Sequence, residues 1–143
     1  MRETTGKYKG NSTLRKMMHD DVAHAAQQFE KQPEYSEVNP GQEIRLNCKI
    51  FNKKGQCSWQ KDNKPVGIYH GKYEWATGTP DSGDCSIRIM NAALEYDDGE
   101  WECQVTASDF AAQDALTSRP VKLVVRGELQ SDTFFLSFPS LDR

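Results

Sequence analysis

Four cysteines are the residues best suited to chemistry in this chain: Cys48, Cys57, Cys85 and Cys103, at gaps of 9, 28 and 18 residues. Thiolates can hold zinc, attack as nucleophiles or couple into disulfides. Zinc sites draw on close Cys-x-x-Cys pairs or a nearby pair of histidines. No such pair occurs, and His19, His24 and His70 share no ligand spacing with the cysteines. An even set of widely spaced cysteines reads as a disulfide framework, and therefore as an oxidising compartment outside the cell. The reading thus carries no metal and no cofactor. Asp97-Asp98 and the pair Asp81 and Asp84 lie among turn-forming residues and read as turn aspartates. No nucleophile–base pair, phosphate loop or paired-acid pattern stands out, so the expectation is a chain that is not an enzyme and takes no small-molecule substrate. The net charge is −3 and the pI about 5.6. Nucleic acid is excluded as a partner, because phosphate binding wants a basic face.

The segments that must position these thiols show a period of two. Ile44, Leu46, Cys48 and Ile50 alternate with Arg45, Asn47 and Lys49, after an Asn39-Pro40-Gly41 turn. Residues 52–55 make the next turn. Cys57 and Trp59 then share a parity opposite Ser58 and Gln60. Residues 61–65 read as a second break. Cys85, Ile87 and Ile89 share one parity, as do Trp101, Cys103 and Val105, and finally Val121, Leu123 and Val125. Weaker strands are expected at 32–37, 66–69 and 72–77. All four cysteines therefore fall on the apolar side of their strands. Short alternating strands with frequent turns predict an all-β fold, an antiparallel sandwich or barrel.

The ends differ in character. Residues 1–28 are polar and read as a flexible N-terminal tail, with a glycosylation sequon at Asn11-Ser12-Thr13. They hold no apolar run of the 7–15 residues a secretory leader needs. Residues 127–143 read as a C-terminal tail or truncated linker. Their cluster Phe134-Phe135-Leu136 falls far short of the roughly 20 apolar residues that cross a bilayer. The expectation is a folded domain at 29–126 in a fragment or incomplete gene model, with membrane attachment only through a missing segment.

Trp59 follows Cys48 by 11 residues, Cys103 follows it by 55, and Asp97-Asp98-Gly99-Glu100-Trp101-Glu102 leads into Cys103. This order, Cys…Trp…Asp-x-Gly-x-aromatic-x-Cys, resembles the immunoglobulin superfamily over 29–126. The resemblance implies an immunoglobulin-like antiparallel β-sandwich, of the I-set or a compact variable-like set. It implies a Cys48–Cys103 bridge between strands B and F of opposite sheets, with Trp59 packed on it. Strands C and E also face each other in that fold, which implies a second bridge, Cys57–Cys85. The alternative is two buried free thiols. Asp97 and Gly99 match the family's corner, with Lys72 as the basic partner of Asp97. Trp101 stands where the family carries a tyrosine, which leaves the corner hydrogen bond open, since an indole N–H can only donate.

Gln27-Gln28-Phe29, Trp59-Gln60-Lys61-Asp62 and Cys103-Gln104-Val105 resemble the first domain of nephrin- and Neph-type cell-recognition proteins. Cys57 and Gly83-Asp84-Cys85-Ser86-Ile87 resemble the extra bridge of fasciclin-III-like adhesion molecules. Both resemblances imply a cell-surface module for adhesion or recognition that binds another immunoglobulin-superfamily protein, or itself, through the sheet holding strands C, F and G. Its outward parity would carry Ser58, Gln60, Glu102, Gln104, Lys122 and Val124, with 66–69 extending the edge. Phe110, near the tip of the loop 107–118, is a second candidate contact that would either project or fold back. The competing reading is a secreted immune-type or ligand-binding domain that works through its loops.

Overall fold

The computed structural model describes residues 25–127. Their alternation becomes a set of short strands: β1 (Gln28–Lys31), β2 (Ser36–Val38), β3 (Ile44–Leu46), β4 (Lys49–Phe51), β5 (Cys57–Lys61), β6 (Lys64–Val66), β7 (Tyr73–Trp75) and β8 (Ile87–Ile89). One turn of helix, α1 (Leu94–Asp97), precedes β9 (Gly99–Val105), β10 (Leu116–Thr117) and β11 (Val121–Val125). One sheet runs β2-β11-β9-β5-β6, with β10 also paired to β9. The facing layer runs β3-β8-β7, and β1 pairs with β4. Strands β3 and β4 are two halves of one segment broken at Asn47-Cys48. Cys85 N–H donates to the Cys48 carbonyl (2.7 Å) and Ile50 N–H to the Gly83 carbonyl (2.8 Å), which carries the layer across the break. All pairings are antiparallel except β2 with β11, which is parallel. This is an all-β immunoglobulin-like sandwich, with β5, β9 and β11 as its strands C, F and G.

The core forms where the inward parities meet. Leu46, Ile87 and Ile89 from one layer face Trp59, Trp101, Cys103, Leu123 and Val125 from the other, all buried. Trp59 and Trp101 meet edge to face with centroids 6.3 Å apart. The Trp59 indole N–H donates to the Cys85 carbonyl across the layers (2.8 Å), so the ring is buried without an orphan donor. Cys48 and Cys103 are bridged with Cα atoms 6.5 Å apart, and Cys57 and Cys85 at 6.2 Å. Sequence separations of 55 and 28 residues make these crosslinks worth about 4.2 and 3.6 kcal/mol in the chain-entropy account.

Three expectations are corrected. Residues 61–65 do not break the chain. Asp62 and Asn63 adopt positive φ (51° and 66°) and close a two-residue hairpin whose twist suits its flanking strands. Strand β6 therefore starts at Lys64, and only Val66 of the expected 66–69 strand belongs to it. Pro65 is tolerated because β6 is an edge. Of the expected strand at 32–37 only Ser36 and Glu37 are strand, in β2, because residues 32–35 carry the chain past buried Pro33 from β1, paired with β4, to β2, paired with β11. At the start of the described residues, Gln27 is buried and Gln28 pairs with Phe51.

Candidate recognition surface

Strand register builds the outer face of the larger sheet. Ser58 lies opposite Gln104, and Gln60 opposite Glu102, across β5 and β9. Lys122 of β11 lies opposite Glu100. Inward neighbours Trp59, Trp101 and Cys103 are buried, so strand pleating forces these residues out. Ser58 and Lys122 are exposed, while Gln60, Glu102, Gln104 and Val124 are half-buried by their neighbours. All six residues read from the sequence thus share one face. Ser58, Gln60 and Gln104 give it a hydroxyl and two amides; its charged members are Glu100 and Glu102 on the middle strand and Lys122 beside them. Gln104 Nε2 reaches Thr117 Oγ1 at 3.5 Å. Lys122 Nζ pairs with Asp98 at 3.4 Å, an exposed contact of small worth. Chemically the face can donate and accept hydrogen bonds, as a wet interface does.

Two residues of this face escaped the sequence reading. Glu100 continues the outward parity of Glu102 and Gln104 and could have been found from it. Exposed Pro65 lies opposite Gln60, and it was hidden by reading 61–65 as a break.

The corner beneath the face is more tightly built than a surface turn. Asp97 is fully buried. Its carboxylate accepts from Lys72 Nζ (2.6 Å), the Tyr73 hydroxyl (2.5 Å) and Ala93 N–H (2.8 Å). Burial first, and the Asp97 hydrogen bond second, push the Tyr73 hydroxyl well above its usual range, so it stays a donor. The corner bond survives the change of ring: Trp101 Nε1–H donates to the Asp97 carbonyl (2.9 Å). Gly99 has φ 154°, and a Cβ there would meet the Asp62 carboxylate at 2.7 Å. That close approach lets Asp62 accept from Glu100 N–H at 2.9 Å. This bond, with Lys61 beside it, holds the Asp62 carboxyl below its usual range.

Phe110 is completely exposed at the tip of the loop between β9 and β10 and does not fold back. Cys57 is half-buried, unlike the other three cysteines. Asn11 lies outside the described residues. Among the described residues, no group of three or more His, Cys, Asp or Glu could hold a metal ion. No helix there is long and apolar enough to cross a membrane.

This geometry has known counterparts. The family model "Immunoglobulin I-set domain" matches residues 27–117. The chain is 33% identical over 107 residues to mouse Kin of IRRE-like protein 2, covering 72% of the chain and 14% of that protein. It is 31% identical over 89 residues to the Irregular chiasm C-roughest protein of Drosophila melanogaster, covering 59% and 12%. The chain therefore spans about one-eighth to one-seventh of these relatives. Among solved structures, Duf (Kirre) D1 superposes with a TM-score of 0.61 at 28% identity, covering 70% of this chain and 96% of that one. Rst D1-D2 gives 0.61 at 28%, covering 70% and 49%. With the family model matching well over half its length, and with its two-layer sandwich and Cys48–Trp59–Cys103 core, the chain belongs to the immunoglobulin I-set family.

Proposed function

We propose that this domain is an extracellular protein-binding module for cell–cell adhesion or recognition, and that it engages its partner through the outer face of β5, β9 and β11. The partner is another immunoglobulin-superfamily protein or a second copy of this chain. The whole protein would sit at the cell surface, and the folding unit would run from about residue 27 to 126. The observation that carries this reading is the face itself: six outward side chains in register across three paired strands, with amides beside Glu102 on the middle strand. Its support from relatives is similarity to Kin of IRRE-like and roughest proteins, and to a nematode protein named for synaptogenesis, syg-1, at 29% identity. No enzymatic role is proposed.

The test uses the chain produced in an oxidising secretory host. Sedimentation velocity and surface-binding assays would measure self-association and binding to Duf (Kirre) D1. Gln60→Arg and Gln104→Arg each set a bulky cation on the face where the partner must pack, and each should weaken the complex at least about tenfold. A chain that stays monomeric at high concentration and binds no such domain, or a complex indifferent to both changes, overturns the proposal.

A further inference from the structure

Gln27 is a buried side chain whose amide is fully used. Its Nε2 donates to the Thr106 carbonyl (2.9 Å) and the Asp114 carbonyl (3.1 Å). Its Oε1 accepts from Lys54 N–H (2.7 Å) and Gly55 N–H (2.8 Å). Two donors and two acceptors from one planar group are what a primary amide supplies; a carboxylate cannot donate and an ammonium cannot accept. One side chain thereby pins three segments: the start of β1, the turn between β4 and β5, and the loop between β9 and β10. The approach of the two loops is close, since a Cβ on Gly55 would lie 2.0 Å from the Thr106 carbonyl oxygen.

The loop is braced internally as well. Asp114 accepts from Ser108 N–H and the Ser108 hydroxyl (both 2.8 Å) and from Gln27 N–H (3.3 Å). Asp109 Oδ1 accepts from Ala111 and Ala112 N–H (both 2.9 Å). The bonds from Ser108, chiefly, hold the Asp114 carboxyl below its ordinary range. On this braced support Phe110 stands wholly exposed. A large apolar ring in water contributes nothing to the fold, and a loop ordered before binding loses little entropy when it docks. An aromatic side chain on such a loop is what an interface uses as an anchor.

We propose that the 107–115 loop is a second recognition site, separate from the β5-β9-β11 face. Phe110 is its anchor, and Gln27 and Asp114 are positioning residues that hold the anchor out. The ligand is a protein that offers an apolar pocket. The loop carries Asp109 and Asp114 and no Lys or Arg, which opposes docking on an anionic lipid surface.

Two measurements on the intact, oxidised chain test this. Amide exchange reads the pin. Gln27→Leu removes all four side-chain bonds and should speed exchange at Lys54, Gly55 and Ser108 at least about tenfold, while Ile87 and Cys103 in the core change little. Gln27→Glu keeps the acceptor and loses the donors, so Lys54 and Gly55 should stay protected while Ser108 loosens. That partial rescue would not arise from general destabilisation. Binding reads the anchor, with the chain itself, Duf (Kirre) D1 and Rst D1-D2 as immobilised probes. Phe110→Ser should weaken at least one complex about 30-fold, the loss typical of an aromatic hot spot, and Phe110→Tyr should retain it within about threefold. Unchanged exchange in Gln27→Leu overturns the positioning role. The anchor is overturned if no probe binds, or if every complex tolerates Phe110→Ser within twofold. Loss in Gln60→Arg with indifference to Phe110→Ser removes this site and leaves the face; the reverse removes the face and leaves this site.

Discussion

Replacing Asp97 by Asn is the most informative perturbation of the fold, because it changes charge and hydrogen bonding with little change in volume. The native carboxylate is fully buried and satisfies Lys72, Tyr73 and Ala93. An asparagine there keeps one acceptor oxygen and turns its NH₂ toward at least one of three donors. Lys72 retains the Met90 and Asn91 carbonyls, each at 3.1 Å, so its loss is cushioned. With the amide oxygen toward Lys72 and Ala93, the NH₂ faces Tyr73, whose hydroxyl must turn from donor to acceptor; with the oxygen toward Tyr73, the NH₂ confronts the Lys72 and Ala93 donors. Bonds to a charged group contribute about 1.5–3 kcal/mol each, and removing one partner of a buried pair costs about 3–5 kcal/mol. Weighing the cushioning, we expect Asp97→Asn to cost about 3 kcal/mol and Asp97→Ala about 4–5, against a domain stability of about 5–15 kcal/mol. For a domain of this size, 3 kcal/mol lowers Tm by about 12–24 °C. The control is Lys122→Ala, which breaks an exposed pair with Asp98 and should cost under about 1 kcal/mol. Urea denaturation followed by tryptophan fluorescence, without reductant, measures all three. An Asp97→Asn protein within about 1 kcal/mol of the parent, or a Lys122→Ala loss as large as that of Asp97→Asn, refutes the argument that burial makes this carboxylate matter.

Other consequences follow from the same structure. Replacing both Cys57 and Cys85 by Ala opens the shorter crosslink and should lower stability by about 3.6 kcal/mol; chemical denaturation will show it, with Cys48–Cys103 still oxidised by peptide mapping. Gly55→Ala forces its new methyl onto the Thr106 carbonyl oxygen, so the two loops must separate; a loss of about 1–3 kcal/mol, with faster exchange at Gln56 and Thr106, is the expected result. Asp62 and Asp114 both have folded-state pKa values held low, by hydrogen bonds from Glu100 N–H and from Ser108 respectively. A depressed folded value means the unfolded chain binds more protons in that interval. Stability is then fully present above the unfolded value of about 3.9 and falls as pH drops through the lower folded values. Urea midpoints should therefore be level from pH 7 to 5 and decline below about 4.

Much of the fold was legible because pleating is a local rule. Alternation at 44–50, 85–89, 101–105 and 121–125 assigns inside and outside without knowledge of partners, and it placed every cysteine inward and Ser58, Gln60, Glu102 and Gln104 outward. The corner motif, too, is a short run that carries its own spacing. What the chain could not reveal alone depends on segments that meet from far apart. Asp62 and Asn63 looked like a break because the same polar residues either end a strand or reverse it, and only pairing of Lys61 with Lys64 decides between them. Asp97 could be matched to Lys72 by the corner motif, but its full burial and its bond from Tyr73, 24 residues earlier, exist only in the packed structure. The four hydrogen bonds of the Gln27 side chain run to residues 27 to 87 positions away. Sequence patterns encode which way a side chain points; the burial and satisfaction of a polar group depend on long-range neighbours, and those exist only once the sheets have packed.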